Sequence, residues 1–156
     1  MSAEAAAALV EESVGASVVA SFAAAKWQEK VAGFEALQAH IRDNEPSHEL
    51  LEAVAKFIKA KMKDYKESNI NLLKGTVATY DVMARETQAL GKRAMAPAMH
   101  FFVDKIGDVK LSTAIKEMLL CAAELVTPKF IALQIIKYAA SAKAPNTVKE
   151  SCNFIT

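Results

Sequence analysis

Residues 69–89 read Asn69-Ile70-Asn71-Leu72-Leu73-Lys74-Gly75-Thr76-Val77-Ala78-Thr79-Tyr80-Asp81-Val82-Met83-Ala84-Arg85-Glu86-Thr87-Gln88-Ala89. Within them Leu73, Val77, Tyr80 and Ala84 recur three and four positions apart. That interval puts all four on one face of an α-helix and is incompatible with the two-residue period of a strand. Upstream, Trp27, Val31, Phe34, Leu37 and Ile41 keep the same spacing, and downstream so do Ile115, Met118, Leu119, Ala122 and Leu125. The chain is therefore expected to be all-α.

The pattern predicts helices over 16–24, 27–42, 48–62, 69–89, 92–106, 109–124, 128–141 and 147–156. Breakers fall between them. Pro46-Ser47 and Ser68-Asn69 supply short oxygen side chains that cap a helix start. Gly91 ends a long helix, and Gly107-Asp108 pairs a glycine stop with an acidic start. Thr127-Pro128 is a cap followed by proline at the first helical position, and Pro145-Asn146 marks the last turn. Second helices starting near Trp27, Asn69, Val109 and Thr147 are separated by 42, 40 and 38 residues. Two helices per unit and a period near 40 are the mark of HEAT-like repeats, in which no pair buries its apolar face alone and stacking supplies the core. The expected fold is an α-solenoid of about four antiparallel helix pairs over 16–156. Residues 1–15 form an extension or a short helix. Because Thr156 follows soon after a fourth second helix begins, a truncated array is expected, with a short array that frays at its end as the alternative.

Composition narrows the function. The chain has 156 residues, 53% of them hydrophobic, enough for a packed core and too apolar for disorder. Nineteen basic and 18 acidic residues leave a formal charge of +1, which gives no bulk drive toward nucleic acid or an anionic membrane. No apolar run is long enough to span a bilayer, and the Ala-rich start carries Glu4, Glu11 and Glu12 and lacks the basic region of a secretory signal. Two cysteines, Cys121 and Cys152, make no disulfide framework and fit a reducing, intracellular setting.

Few residues suggest chemistry. His100 and Asp104, four apart on a helix, allow a general-base pair or a plain surface pair, and the second fits better because no nucleophile is placed beside them. His40 and His48 straddle a turn without a metal-ligand spacing, and Gly91-Lys92 lacks the upstream glycine of a phosphate loop. The six methionines suit core gaps. No enzyme, metal or cofactor is expected. The loop lysines Lys26, Lys30, Lys63, Lys66, Lys110, Lys143 and Lys149 would line one edge if the repeats stack regularly. Such a ridge suits an acidic protein partner, or it simply solvates the fold. Trp27, the single tryptophan, is either a staple at a helix start or an exposed anchor of the kind that dominates interfaces.

The segment Lys26-Trp27-Gln28-Glu29-Lys30-Val31-Ala32-Gly33-Phe34-Glu35-Ala36-Leu37-Gln38 resembles the opening of a TOG domain. Tyr65-Lys66-Glu67-Ser68-Asn69 and Val103-Asp104-Lys105-Ile106-Gly107-Asp108-Val109-Lys110 add to the likeness, which is nearest to the third TOG module of the TOG-array microtubule polymerases and runs from about Ser17 onward. The resemblance implies a paddle of HEAT repeats whose intra-repeat loops grip αβ-tubulin. It also implies a role at microtubule plus ends, spindle, centrosome and kinetochore in the cytoplasm, without chemistry or cofactor of its own. By position, the tubulin-binding loops fall on Lys26 and Trp27; on Lys63, Tyr65 and Lys66; on Gly107, Asp108 and Lys110; and on Lys143, Pro145 and Asn146. The chain departs from the family in placing Tyr65 where many TOG domains have a small or aliphatic contact. The family's fifth loop would lie beyond Thr156, which implies weak binding, or none, by this chain alone. The alternative is a monomeric HEAT spacer or adaptor-binding module beside other TOG modules, with little tubulin affinity.

Overall fold

The computed structural model describes residues 1–140 and 145–155, the side chains of Pro145 and Asn146 excepted. The described residues contain helices and no strand. In chain order the helices are α1 (Ala3–Val14), α2 (Ala16–Phe22), α3 (Trp27–Asp43), α4 (His48–Lys61), α5 (Ile70–Glu86), α6 (Lys92–Met95), α7 (Met99–Lys105), α8 (Ser112–Val126), α9 (Pro128–Ala139) and α10 (Pro145–Ile155), with a 3-10 turn at Ala96–Ala98 between α6 and α7.

The starts follow side-chain chemistry. The Ser47 hydroxyl accepts the Leu50 amide at 3.0 Å, the Asn69 carboxamide oxygen accepts from Asn71 at 2.9 Å, and the Thr127 hydroxyl accepts from Phe130 at 3.2 Å. Each satisfies a donor that the first helical turn leaves orphaned. Residues 5–10 belong to α1, capped by Ser2, which buries Ala6 and Val10 against α4.

Three boundaries differ from expectation. The segment 92–106 is not one helix: Pro97 lacks an N–H, and the backbone tightens into 3-10 geometry around it before α7 begins. The helix expected to start near Val109 starts at Ser112, because the Asp108 carboxylate accepts the Lys110 amide at 2.8 Å and holds 108–111 as a turn. The helix expected from 69 to 89 ends at Glu86, and Thr87 is extended. The second helices accordingly start at Trp27, Ile70, Ser112 and Pro145, which by subtraction are 43, 42 and 33 apart.

Neighbouring helices form two rows. In one, α5 packs between α3 and α8; in the other, α4 packs between α1 and α6, and α7 on α9. Register is uniform along one contact in each row. In the first, Phe34 meets Gly75, and Gln38 donates to Thr79 at 3.1 Å, both pairs 41 positions apart. In the second, the Lys92 ammonium lies over the Phe130 ring and His100 faces Tyr138, both pairs 38 apart. Large rings join the rows. Phe22 makes edge contacts with Phe34 at 4.8 Å and Phe57 at 5.1 Å, Tyr80 meets Phe102 at 5.0 Å, and the Tyr80 hydroxyl donates to the Ala94 carbonyl at 2.9 Å. Phe34, Phe57, Tyr80 and Phe102 are all buried. Burying each ring contributes about 1.5–3 kcal/mol.

Candidate functional site

Helices α3 and α5 run in the same direction, since Phe34 then Gln38 meet Gly75 then Thr79. Helices α5 and α8 do too: Lys74 near the start of α5 shares a groove with Lys110 just before α8, and Arg85 near the end of α5 feels the charges of Cys121 and Glu117 farther along α8. The amino-terminal ends of α3, α5 and α8 thus lie at one edge. The α4–α5 connection joins that edge with the end of α7 and the start of α10. Asp64 and Asp104 line one cleft, and the Thr147 hydroxyl donates to the Asp104 carbonyl at 3.0 Å. The connections α3–α4 and α5–α6 meet elsewhere, around a cleft between Pro46 and Thr87.

This edge brings together most of the residues singled out from sequence. Trp27 is 41% exposed at the start of α3, and the 41-residue register carries it level with Ser68. Lys26, Lys63, Lys66 and Lys110 are exposed, and none is ion-paired with a described residue. Of the neighbouring acids, Glu29 in the first turn of α3 is exposed and not ion-paired with a described residue, and four others are engaged. Asp64 lies 3.4 Å from the Lys59 ammonium, Asp104 lies 3.8 Å from Lys105, Asp108 holds the Lys110 amide and Glu67 accepts from the Ser68 amide. The edge therefore presents free ammonium groups beside helix amino termini, both of which favour an acidic surface.

Tyr65 does not present a contact face. It is 9% exposed, stacked on Phe101 at 4.6 Å and edge-on to His100 at 5.5 Å. Lys63, Asp64 and Tyr65 all take left-handed backbone angles, φ 55, 56 and 62, which turn the ring inward. Burial raises the Tyr65 phenol well above its usual range; its hydroxyl is turned toward that of Tyr80 with no partner within hydrogen-bonding distance. Gly107 and Asp108 are half-buried. Lys143 lies outside the described residues. Pro145 and Asn146 open α10 as backbone. Lys30 is half-buried and Lys149 exposed.

One residue went unread. Val109, between Asp108 and Lys110, is 92% exposed. Its place beside a glycine stop is the sequence signal, masked by the helical pattern that predicts a start near 109. His100 and Asp104 line one cleft with Asp64, Tyr65 and Tyr138. His100 packs between Tyr65 and Tyr138, and burial, then the Lys59 charge, lowers its pKa from the ordinary histidine value. Cys121 and Cys152 form no disulfide. Among the described residues no group of three acidic, histidine or cysteine side chains is placed to hold a metal, and no helix is long and apolar enough to cross a membrane. No protein-family model matches the chain, and no solved structure matches it.

Proposed function

We propose that the chain is a HEAT-like α-solenoid of the TOG type and binds αβ-tubulin through the edge formed by the starts of α3, α5 and α8, as a module of a microtubule polymerase acting at plus ends and the spindle. The observation that carries the reading is the exposure of Trp27 on the same edge as the unpaired lysines Lys26, Lys63, Lys66 and Lys110. An aromatic anchor within a polar rim is the usual arrangement of an interface hot spot. The parallel α3–α5 pair, in a 41-residue register, and the contacts of α6 and α7 with α9, 38 residues apart, support the solenoid. Val109 joins the contact set, and Tyr65 serves instead to shape the loop that carries Lys63 and Lys66.

The chain has one tryptophan, so labelling with 5-fluorotryptophan yields a single fluorine signal that reports on Trp27 even in a weak complex. Added αβ-tubulin should shift or broaden it, and Trp27→Ala should weaken co-elution with tubulin at low salt by about 30-fold, the effect of losing about 2 kcal/mol at a hot spot. A folded Trp27→Ala protein that binds as tightly as the parent removes Trp27 from the interface. An unperturbed fluorine signal at saturating tubulin transfers the edge to an adaptor partner and leaves the chain a spacer.

A further inference from the structure

Between α5 and α8 runs a groove of about 340 Å³, near the lower end of the about 300–1,000 Å³ typical of ligand sites. Its floor is apolar and built of small side chains, Ala78 and Ala114 above the buried Val77 and Leu111. Small residues keep the two helices from closing the surface between them. At the α3–α5 contact Gly75 instead admits the Phe34 ring.

The two ends of the groove differ in charge. Lys74 and Lys110 flank the end nearest the helix starts, and neither is ion-paired with a described residue. Asp81 and Glu117 flank the other end. Asp81 is answered by Arg85 at 2.7 Å, whose charge also reaches Glu117, so this end carries net negative charge of about one against two free ammonium groups. We propose that the groove docks an extended peptide segment of a partner, with an acidic side chain against Lys74 and Lys110, a small apolar side chain on the Ala78–Ala114 floor, and a basic side chain toward Glu117.

The spacing follows from helix geometry. Seven residues separate Lys74 from Asp81, about 10 Å along α5 at about 1.5 Å per residue. An extended chain covers that distance in about three residues at about 3.3 Å each. The segment therefore carries its acid and its base three positions apart. The inference does not rest on tubulin as the partner; it needs only the groove and its charges.

The test uses the acetylated, amidated hexapeptide Gly-Glu-Ala-Val-Lys-Gly, titrated into the nitrogen-labelled full chain and followed by NMR. Amide shifts are expected at Ala78 and Ala114. Lys74→Gln and Lys110→Gln should each weaken binding about two- to fivefold, the effect of an exposed ion pair. Lys110→Glu should instead favour the peptide with lysine in place of its glutamate, a reversal that a merely structural lysine would not produce. The proposal is overturned by equal binding of the peptide with glutamine for glutamate, by shifts confined to other surfaces, or by unchanged affinity in both lysine variants. Tighter binding by a helical peptide with its charges seven positions apart overturns the extended occupant.

Discussion

Lys63 stands at φ 55, in the place that follows a helix end and that glycine most often fills. The amide of Asp64 reaches back to the Lys59 carbonyl at 2.9 Å and that of Lys63 to Ala60 at 3.1 Å, the paired hydrogen bonds that close α4 in a left-handed turn. A side chain there costs about 1–2 kcal/mol, and a glycine returns about half of that as chain entropy. Lys63→Gly should raise stability by up to about 1 kcal/mol in urea unfolding. Tyr65, two residues on, shows why the strained turn persists: its ring stacks on Phe101 and its burial offsets the backbone cost. Its hydroxyl is buried without a partner, and a group so placed costs about 1–3 kcal/mol. Tyr65→Phe keeps the stack and removes the penalty. A gain near 1 kcal/mol, about 2–4 °C in Tm for a chain of this size, is the expected result of a thermal melt. A lower Tm would mean that the Tyr80 hydroxyl serves as its partner after all.

At the scale of the element, α3 and α5 approach closely because position 75 has no side chain. A Cβ there would stand 2.8 Å from Cδ2 of Phe34, and that ring is held edge-on by Phe22 within the core. Alanine improves helix propensity by about 1 kcal/mol, but overpacking a filled site costs about 1–3 kcal/mol, and the ring has nowhere to move. Gly75→Ala should therefore destabilise the chain in chemical unfolding. Gly91→Ala, where a Cβ meets only His48 at 3.7 Å, is the matched control and should be near neutral. The broken α6–α7 segment illustrates the same scale: Pro97 interrupts the helix, yet Ala94, Met95, Ala98, Met99, Phe102 and Val103 on both sides of the break remain buried in one core.

Across the whole molecule, α10 is held on one side by packing against α9 and α7, and on the other by the Lys116–Glu150 ion pair to α8. The hydrogen bond from Lys116 pulls the Glu150 pKa below the ordinary carboxylate value. A depressed carboxylate stabilises the fold at pH above its unfolded value, and that contribution disappears as pH falls through the lowered folded value. Acidification below the usual carboxylate range should therefore loosen α10 before the inner helices. Amide protection corrected for intrinsic exchange reads this directly, and Lys116→Gln should abolish the pH dependence while leaving α3–α5 protection unchanged. Equal, simultaneous loss in α10 and α5 would show that the pair does not set the local stability. Charge is also partitioned at this scale: a chain of net charge +1 presents Lys26, Lys63, Lys66 and Lys110 on one edge, where Asp64, Glu67, Asp104 and Asp108 have internal partners.

Periodicity determined the helical class, the apolar faces and most helix starts, because a stripe at three- and four-residue spacing and a capping oxygen are local properties of the chain. Leu73, Val77, Tyr80 and Ala84 are all buried as that stripe requires. Composition likewise made Trp27 and the loop lysines visible as candidates. What the sequence hid depended on contacts far along the chain. Tyr65 is an aromatic in a polar loop, and only its stacking on Phe101 of α7 shows that it is core and not surface. Val109 is apolar and reads as helix, and only the turn held by Asp108 leaves it in solvent. The α5–α8 groove was also illegible, since its two walls are 36 residues apart and exist as a groove only once the helices lie parallel. Local chemistry determined what each segment is; burial and register, which are properties of pairs of segments, decided which side chains remain free to meet a partner.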